Sequence, residues 1–498
     1  MPGRPKRRAG AAAAIGGIAL LAVAVARRRR HRSPVRHHDL ALASSGRWAR
    51  NAALASVGSK AGGTYALHRA RRLFAAAERR GALDATYQLK TAEQVAETLG
   101  NLKGAVMKLG QMASYLDQGL PEPVRQALAE LQQDAPPMSA ELAAGVVRDE
   151  LGRPPGKLFA EWDGVPIASA SIGQVHRALT HDGRAVAVKV QYPGIAEAIK
   201  GDLDNAGVLF SAMGLMFPGL EPGPLVEELR TRVIEELDYR LEADNQRLFA
   251  DYYCGHPFIR VPGVVDELSA DRVLTTELAV GARFDEVLTW SQDERDRVGE
   301  IIYRFVFRSL YDLLAFNGDP HPGNYLFGQD GTVTFLDFGL VKRFQPGELA
   351  VFEDMVRAMV LDHDTKAFRK VIEGVGLLKA GQPFPDAQVE EYFGAFYDVV
   401  REHSRVTLDA DYSSRLVRRI FDASGPYGEI MKAANVPPSF VIIQRINLGL
   451  YAVLGQLHAT ADWRSIADEL WPFVNGPPST ELGRAEAAWI KSRSLADR

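Results

Sequence analysis

One cysteine, Cys254, stands among 498 residues, so no disulfide framework and no zinc-binding spacing exists. That lone thiol is expected to be buried or inert. His176, His256 and His321 do not fall at metal-ligand spacing, and His321, between two prolines, reads as shaping a loop. There is no internal repeat. Apolar runs long enough to cross a bilayer are scarce: Ala11–Ala26 is about sixteen residues, roughly 24 Å as a helix against a hydrocarbon core of about 30 Å. Ala206–Leu220 suits a buried or surface-lying helix better than a span. No large excess of one charge appears either, the formal net charge being -3.

That balance conceals an asymmetry. The first forty residues carry Arg4, Lys6, Arg7, Arg8, Arg27 to Arg30, Arg32 and Arg36 against Asp39, so the remainder is acidic. A basic segment can be a nucleic-acid tail or a membrane-surface anchor; here it brackets the apolar run, which favours the membrane, and no nucleic-acid partner is expected. Ala-Val-Ala resembles a signal cleavage site, but the four arginines that follow would resist translocation. A transit peptide and a disordered basic tail are the other readings. The heavier basic cluster after the run predicts a catalytic part facing the cytoplasm.

What is present in strength is a phosphoryl-transfer pattern. Asn317-Gly-Asp-Pro-His-Pro-Gly-Asn-Tyr-Leu-Phe, followed by Phe335-Leu-Asp-Phe-Gly, sets Asp319, Asn324 and Asp337 at the spacing of a kinase catalytic loop and its metal-holding carboxylate. Mg²⁺ is a hard cation with oxygen ligands, so Asn324 and Asp337 suit it, while Asp319 would orient an attacking oxygen. Gly328-Gln-Asp-Gly reads as a turn between strands Tyr325–Phe327 and Val333–Leu336, which would bring both metal ligands beside one hairpin.

Upstream, Arg184-Ala-Val-Ala-Val-Lys-Val-Gln-Tyr reads as a buried strand carrying Lys189, which is costly to bury unpaired. In a kinase-like lobe this lysine contacts the α- and β-phosphates of ATP and pairs with a glutamate on a helix. The helical stretch 227–245 offers Glu235, Glu236, Asp238 and Glu242; Glu236 is the chosen partner, and spacing does not settle the choice. Ahead of the lysine, the place of a Gly-rich phosphate loop is taken by Ala168, Ser169, Ala170, Ser171 and the single Gly173, a stiffer loop. Val273–Gly281, containing Glu277, is a strand running into a glycine turn at the position of an adenine hinge.

These motifs resemble the UbiB/AarF family of atypical kinases, over about Leu89 to Trp471. The discriminating signature is Lys108-Leu-Gly-Gln111, which ordinary protein kinases lack. Leu131-Gln-Gln-Asp-Ala-Pro-Pro, Ala168–His176, Val186-Ala-Val-Lys, Glu236-Leu-Asp-Tyr with Glu242-Ala, Asp319-Pro-His-Pro-Gly-Asn and Asp337-Phe-Gly agree with it. Ser169 departs, since the family usually carries alanine there. The resemblance implies an α+β, protein-kinase-like two-lobe fold with a family-specific helical N-terminal extension that folds over the site. Lys108 and Gln111 would then lie in the site, with Glu242 as a polar partner. It further implies ATP and Mg²⁺ as cofactors, a link to isoprenoid-quinone or other lipid metabolism, and a lipid or quinone precursor, within a complex of lipid-biosynthetic proteins, as partner.

After Asp337-Phe-Gly the chain passes almost at once into Pro346-Gly-Glu-Leu and an amphipathic helix, leaving no room for a long activation segment. ATP hydrolysis, or phosphorylation of a small or lipid-like molecule, is therefore favoured over protein phosphorylation. The alternatives are a nucleotide-binding scaffold without turnover and a small-molecule phosphotransferase. The expected organisation is an anchor or targeting segment (1–40), a helical extension (41–154), a kinase-like N-lobe (155–280), a helical C-lobe (281–475) and a polar, mobile tail (476–498).

Overall fold

The computed structural model describes residues 138–170, 172–196, 234–235, 237–318, 320–422, 425–435 and 438–496. The chain divides into two units, residues 1–136 with 194–223 and residues 137–193 with 224–498; every element below belongs to the second. The basic apolar segment, the extension up to residue 137, Lys108, Gln111 and the apolar stretch 206–220 lie outside the described residues.

The first helix, α1 (Ala140–Leu151), begins where the Ser139 hydroxyl accepts the Leu142 N–H and ends at Gly152, whose φ of 73° gives the left-handed stop. Its helical spacing buries Ala143, Val146 and Val147. Val146 and Val147 pack with Phe159, Ala178, Val186, Val188 and Val190. Residues 140–151, expected in the extension, thus belong to the strand lobe, because their apolar stripe needs the sheet to cover it.

That sheet is antiparallel. Strands β1 (Glu161–Trp162), β3 (Gly173–Leu179), β4 (Ala185–Gln191) and β6 (Val273–Glu277) lie in the order β1-β3-β4-β6, with β2 (Ala168–Ser169) paired to β3. Alternation along β4 sends Val186, Val188 and Val190 into the core and Lys189 to the opposite face. There it meets α2 (Tyr239–Tyr252), capped by Asp238, whose carboxylate accepts the Arg240 and Leu241 N–H groups. The helix expected over 227–245 is therefore interrupted at Leu237–Asp238: the Asp238 side chain competes for backbone donors and starts a new helix.

The helical lobe is built on α3 (Gln292–Asp312), opened by a reciprocal Ser291–Glu294 capping box. β7 (Ala315–Asn317) follows. β8 (Tyr325–Phe327) and β9 (Val333–Phe335) form the expected hairpin, with β5 (Ile259–Arg260) parallel to β9. β10 (Val341–Arg343) pairs back onto β7, and α4 (Ala350–Val356), α5 (Pro438–Gln456) and α6 (Trp463–Leu470) complete the body.

The final stretch is not a polar tail. Glu481–Ala496 forms α7, with Leu482, Glu486 and Trp489 buried. Glu486 meets Arg304 and Arg308 of α3 at 3.1 and 3.0 Å, and the Trp489 indole N–H donates to the Cys254 carbonyl. Cys254 itself is exposed, not buried.

Candidate active site

Lys189 is the centre of the site. Its ammonium lies 2.8 and 2.9 Å from the two carboxylate oxygens of Glu242 and 3.6 Å from Oδ2 of Asp337. It also sits 5.1 Å from the centroid of the Tyr239 ring. Burial opposes the positive charge, but the Asp337 and Glu242 carboxylates outweigh it and hold the lysine well above its ordinary range. The Glu242 and Lys189 side chains are 3% and 15% exposed, whereas that of Asp337 keeps 33%. Of the two carboxylates, only Asp337 is open enough to meet a ligand.

Glu236, the expected partner of Lys189, lies outside the described residues. The carboxylate at Lys189 is Glu242, on the buried face of α2, which the family resemblance had set beside Lys108 and Gln111. The interruption at Asp238 explains the difference: the phase of a single helix through 227–245 does not continue into α2.

Asn324 and Asp337 are placed by the β8–β9 hairpin. Tyr325 pairs with Phe335, and the Leu336 N–H donates to the Asn324 carbonyl at 3.0 Å, so both residues sit just beyond the same end of the ladder. Pro322–Asn324 forms a tight turn, closed by the His321 Nδ1, which accepts the Gly323 N–H at 3.0 Å. His321 thus shapes the loop. Asp319, expected to orient the attacking oxygen, lies outside the described residues.

Around Asp337 the backbone is tightly held. Its Oδ1 accepts the Gly339 N–H at 2.9 Å, and its carbonyl accepts from the Asn317 amide at 2.8 Å. The Gly318 N–H donates to the Leu340 carbonyl, and β10 zips directly onto β7. The chain after Asp337 is thus committed to a strand within four residues, which agrees with the expected lack of a long activation segment.

On the sheet side, Ala168 and Ser169 pair with Val175 and Gln174, and the Ala170 N–H donates to the Gly173 carbonyl. Ser171 lies outside the described residues. A Cβ at Gly173 would stand 2.3 Å from the Val190 carbonyl oxygen, so β3 and β4 approach as closely as they do only because this residue is glycine. The neighbouring His176 is buried: Nδ1 meets the Asp163 carbonyl at 2.8 Å, the Gln174 amide reaches Nε2 at 2.9 Å, and Trp162 stacks on the ring. Burial lowers its pKa. Glu277 ends β6, where its carboxylate accepts the Gly263 N–H at 3.0 Å, so the side chain is engaged with the neighbouring loop. At Gly281 a Cβ would come within 2.9 Å of the Phe327 backbone, which fixes where the strand lobe passes into the helical one.

Sequence reasoning missed Asn245, Asn317 and Arg343, all within the network behind Asp337. The available signal was weak: Asn245 follows Glu242 by three residues on one helix, but nothing in the sequence shows what that face meets.

The model of the ABC1 atypical kinase-like domain matches residues 130–372. The mitochondrial atypical kinase COQ8B of Rattus norvegicus is 37% identical over 255 residues, 51% of this chain and 48% of that protein. An uncharacterized protein in the hydrogenase 1 5' region of Clostridium pasteurianum is 30% identical over 393 residues, 77% of this chain and 71% of that protein. The solved structure of Rv3197 from Mycobacterium tuberculosis, in complex with erythromycin, superposes with a TM-score of 0.59 at 31% identity, covering 79% of this chain and 99% of that one. The chain spans about half the length of the first curated relatives it matches. By the family model, by the relative covered over 71% of its length and by the shared fold, the chain belongs to the UbiB/AarF family of ABC1 atypical kinase-like proteins.

Proposed function

We propose that this protein is a membrane-associated phosphotransferase or ATPase that uses Mg·ATP and supports isoprenoid-quinone or other lipid metabolism. The observation that carries the reading is the Lys189 ammonium held by Glu242 and facing Asp337, since kinase-type transfer needs the lysine–glutamate pair and the metal carboxylate in place together. Lys189 would bind the α- and β-phosphates. Ala168 to Ala170, Ser171 and Gly173 would border the phosphates, and the backbone near Glu277 would meet the adenine.

The donor set suits magnesium: the partly exposed Asp337 carboxylate and the Asn324 amide oxygen are hard ligands. Bound there, Mg²⁺ would neutralise charge on the transferring phosphates. Asp319 would orient the attacking hydroxyl or water. The immediate β10 pairing after Asp337 favours a small or lipid-like acceptor, or water, over a peptide, which needs a docking platform. Lys108 and Gln111 are proposed to close over the site.

The membrane and quinone parts rest on other grounds. Ala11–Ala26 between arginine clusters supports anchoring on the cytoplasmic side. Among the described residues no helix is long and apolar enough to cross a membrane, and several relatives are named mitochondrial or chloroplastic. The quinone link comes from the family and from relatives named COQ8B and coq-8.

Phosphate release from Mg·ATP by the full chain, with and without anionic liposomes, tests the enzyme. Lipid-stimulated release that disappears on Asp337→Asn is the expected result. ATP binding without release under either condition would overturn it in favour of a nucleotide-binding scaffold. Unchanged quinones and quinone precursors in a deletion strain would remove the metabolic assignment.

A further inference from the structure

Asn245 does what no motif assigns to it. It lies on α2, 3% exposed, three residues beyond Glu242. Its Nδ2 donates to the Phe338 carbonyl at 3.1 Å, and its Oδ1 accepts from Arg343 Nη2 and Nε at 2.9 and 3.3 Å. One side of the amide faces an acceptor and the other a guanidinium that only donates, so its orientation is unambiguous. A single side chain therefore ties the glutamate-bearing helix to the peptide after Asp337 and to β10.

The two peptides after Asp337 are thus held from two elements. Asn317, ending β7, fixes the Asp337 carbonyl; Asn245, on α2, fixes the Phe338 carbonyl. The Phe338 ring packs 4.9 Å from that of Phe249, also on α2. For the backbone at Asp337 to swing the residue away from Lys189, the Phe338 peptide would have to rotate. A buried carbonyl would then lose its donor, and Arg343 would lose its acceptor. A cleft of about 270 Å³ lined by Leu241, Asn245, Gly339, Val341 and Arg343 flanks this segment, so there is room for it to relax once the amide is gone.

We infer that Asn245 is a positioning residue that, with Arg343 as its outer arm, locks Asp337 in the metal-facing state without any phosphorylated loop. The inference rests on the reading of Asp337 as a magnesium ligand. It deepens that reading by naming what sets the metal affinity.

The test uses the full chain and the variants Asn245→Ala, Asn245→Asp and Arg343→Gln, with two readouts. The first is amide hydrogen exchange over residues 337–343 without nucleotide. The second is Mg²⁺ titration of the binding of a fluorescent ATP analogue. Asn245→Ala should speed exchange at Gly339 and in β10, and raise the Mg²⁺ needed for half-maximal binding about five- to tenfold, the equivalent of one buried hydrogen bond. Metal-free nucleotide binding should not change. Asn245→Asp, which keeps the acceptor for Arg343 but loses the donor to Phe338, should match it, and Arg343→Gln should have a smaller effect.

Faster exchange spread evenly over α2 and β4, with binding weakened equally with and without Mg²⁺, would reduce Asn245 to a packing role and overturn the inference. If the wild-type protein shows no Mg²⁺-dependent binding at all, the magnesium reading fails and exchange alone judges the clamp. Local acceleration in Asn245→Ala upholds it, and unchanged exchange overturns it.

Discussion

Lys189 and Glu242, 53 positions apart in the chain, meet as a two-pronged pair, the ammonium 2.8 and 2.9 Å from the two carboxylate oxygens. A pair this buried costs most when only half of it is removed. Glu242→Gln should destabilise the fold by about 3 kcal/mol, measured by urea unfolding, and the double variant with Lys189→Met by clearly less than the sum of the singles. Strict additivity would show that the two charges do not depend on each other.

Asp337→Asn separates chemistry from folding. The amide oxygen can still accept the Gly339 N–H, so the turn should persist, while the negative charge facing Lys189 is lost. We expect nucleotide turnover to fall by at least about a hundredfold, with the unfolding midpoint little changed. Turnover near that of the wild type would remove Asp337 from the metal site.

Gly173→Ala tests the close approach of β3 to β4. With the Val190 carbonyl 2.3 Å from the added carbon, the strands must separate, at a cost of about 1–3 kcal/mol. Both thermal stability and nucleotide affinity should drop, since the opened pair carries Lys189. An unaltered melting temperature would contradict the packing.

Glu486 predicts an acid-labile C-terminus. Burial would raise its pKa, but the adjoining His256 and the Arg308 and Arg304 guanidinium groups hold it down to about 2. A carboxylate depressed in the folded state stabilises fully above its unfolded value near 4.5, and this contribution is lost as pH falls from there toward about 2. Wild-type stability should decline through that window. Glu486→Gln should be less stable at neutral pH by about 3–5 kcal/mol and lose less on acidification. An equal acid dependence in the two proteins would rule out Glu486 as its source.

Local pattern made part of this protein legible. Alternation in Arg184–Tyr192 predicts a buried strand carrying Lys189, and the Gly328–Gly331 turn between two short apolar runs predicts the hairpin; both are present. Such signals survive because periodicity and turn chemistry act over a few residues. The stretch 227–245 reads as one helix, and only the Asp238 cap, which resets its phase, brings Glu242 to Lys189.

The kinase-type spacing of Asn324 and Asp337, the lysine strand and the family to which the chain belongs are written in the order of the residues, because each is carried by neighbours in the chain. Tertiary structure alone decided which carboxylate meets Lys189, that Asn245 and Arg343 grip the peptide after Asp337, and that residues 481–496 dock as a helix. Each of those outcomes joins charges or amides distant in the chain, such as Arg304 and Glu486, 182 residues apart. Only the folded backbone sets which of many polar side chains share a buried space and must satisfy one another there.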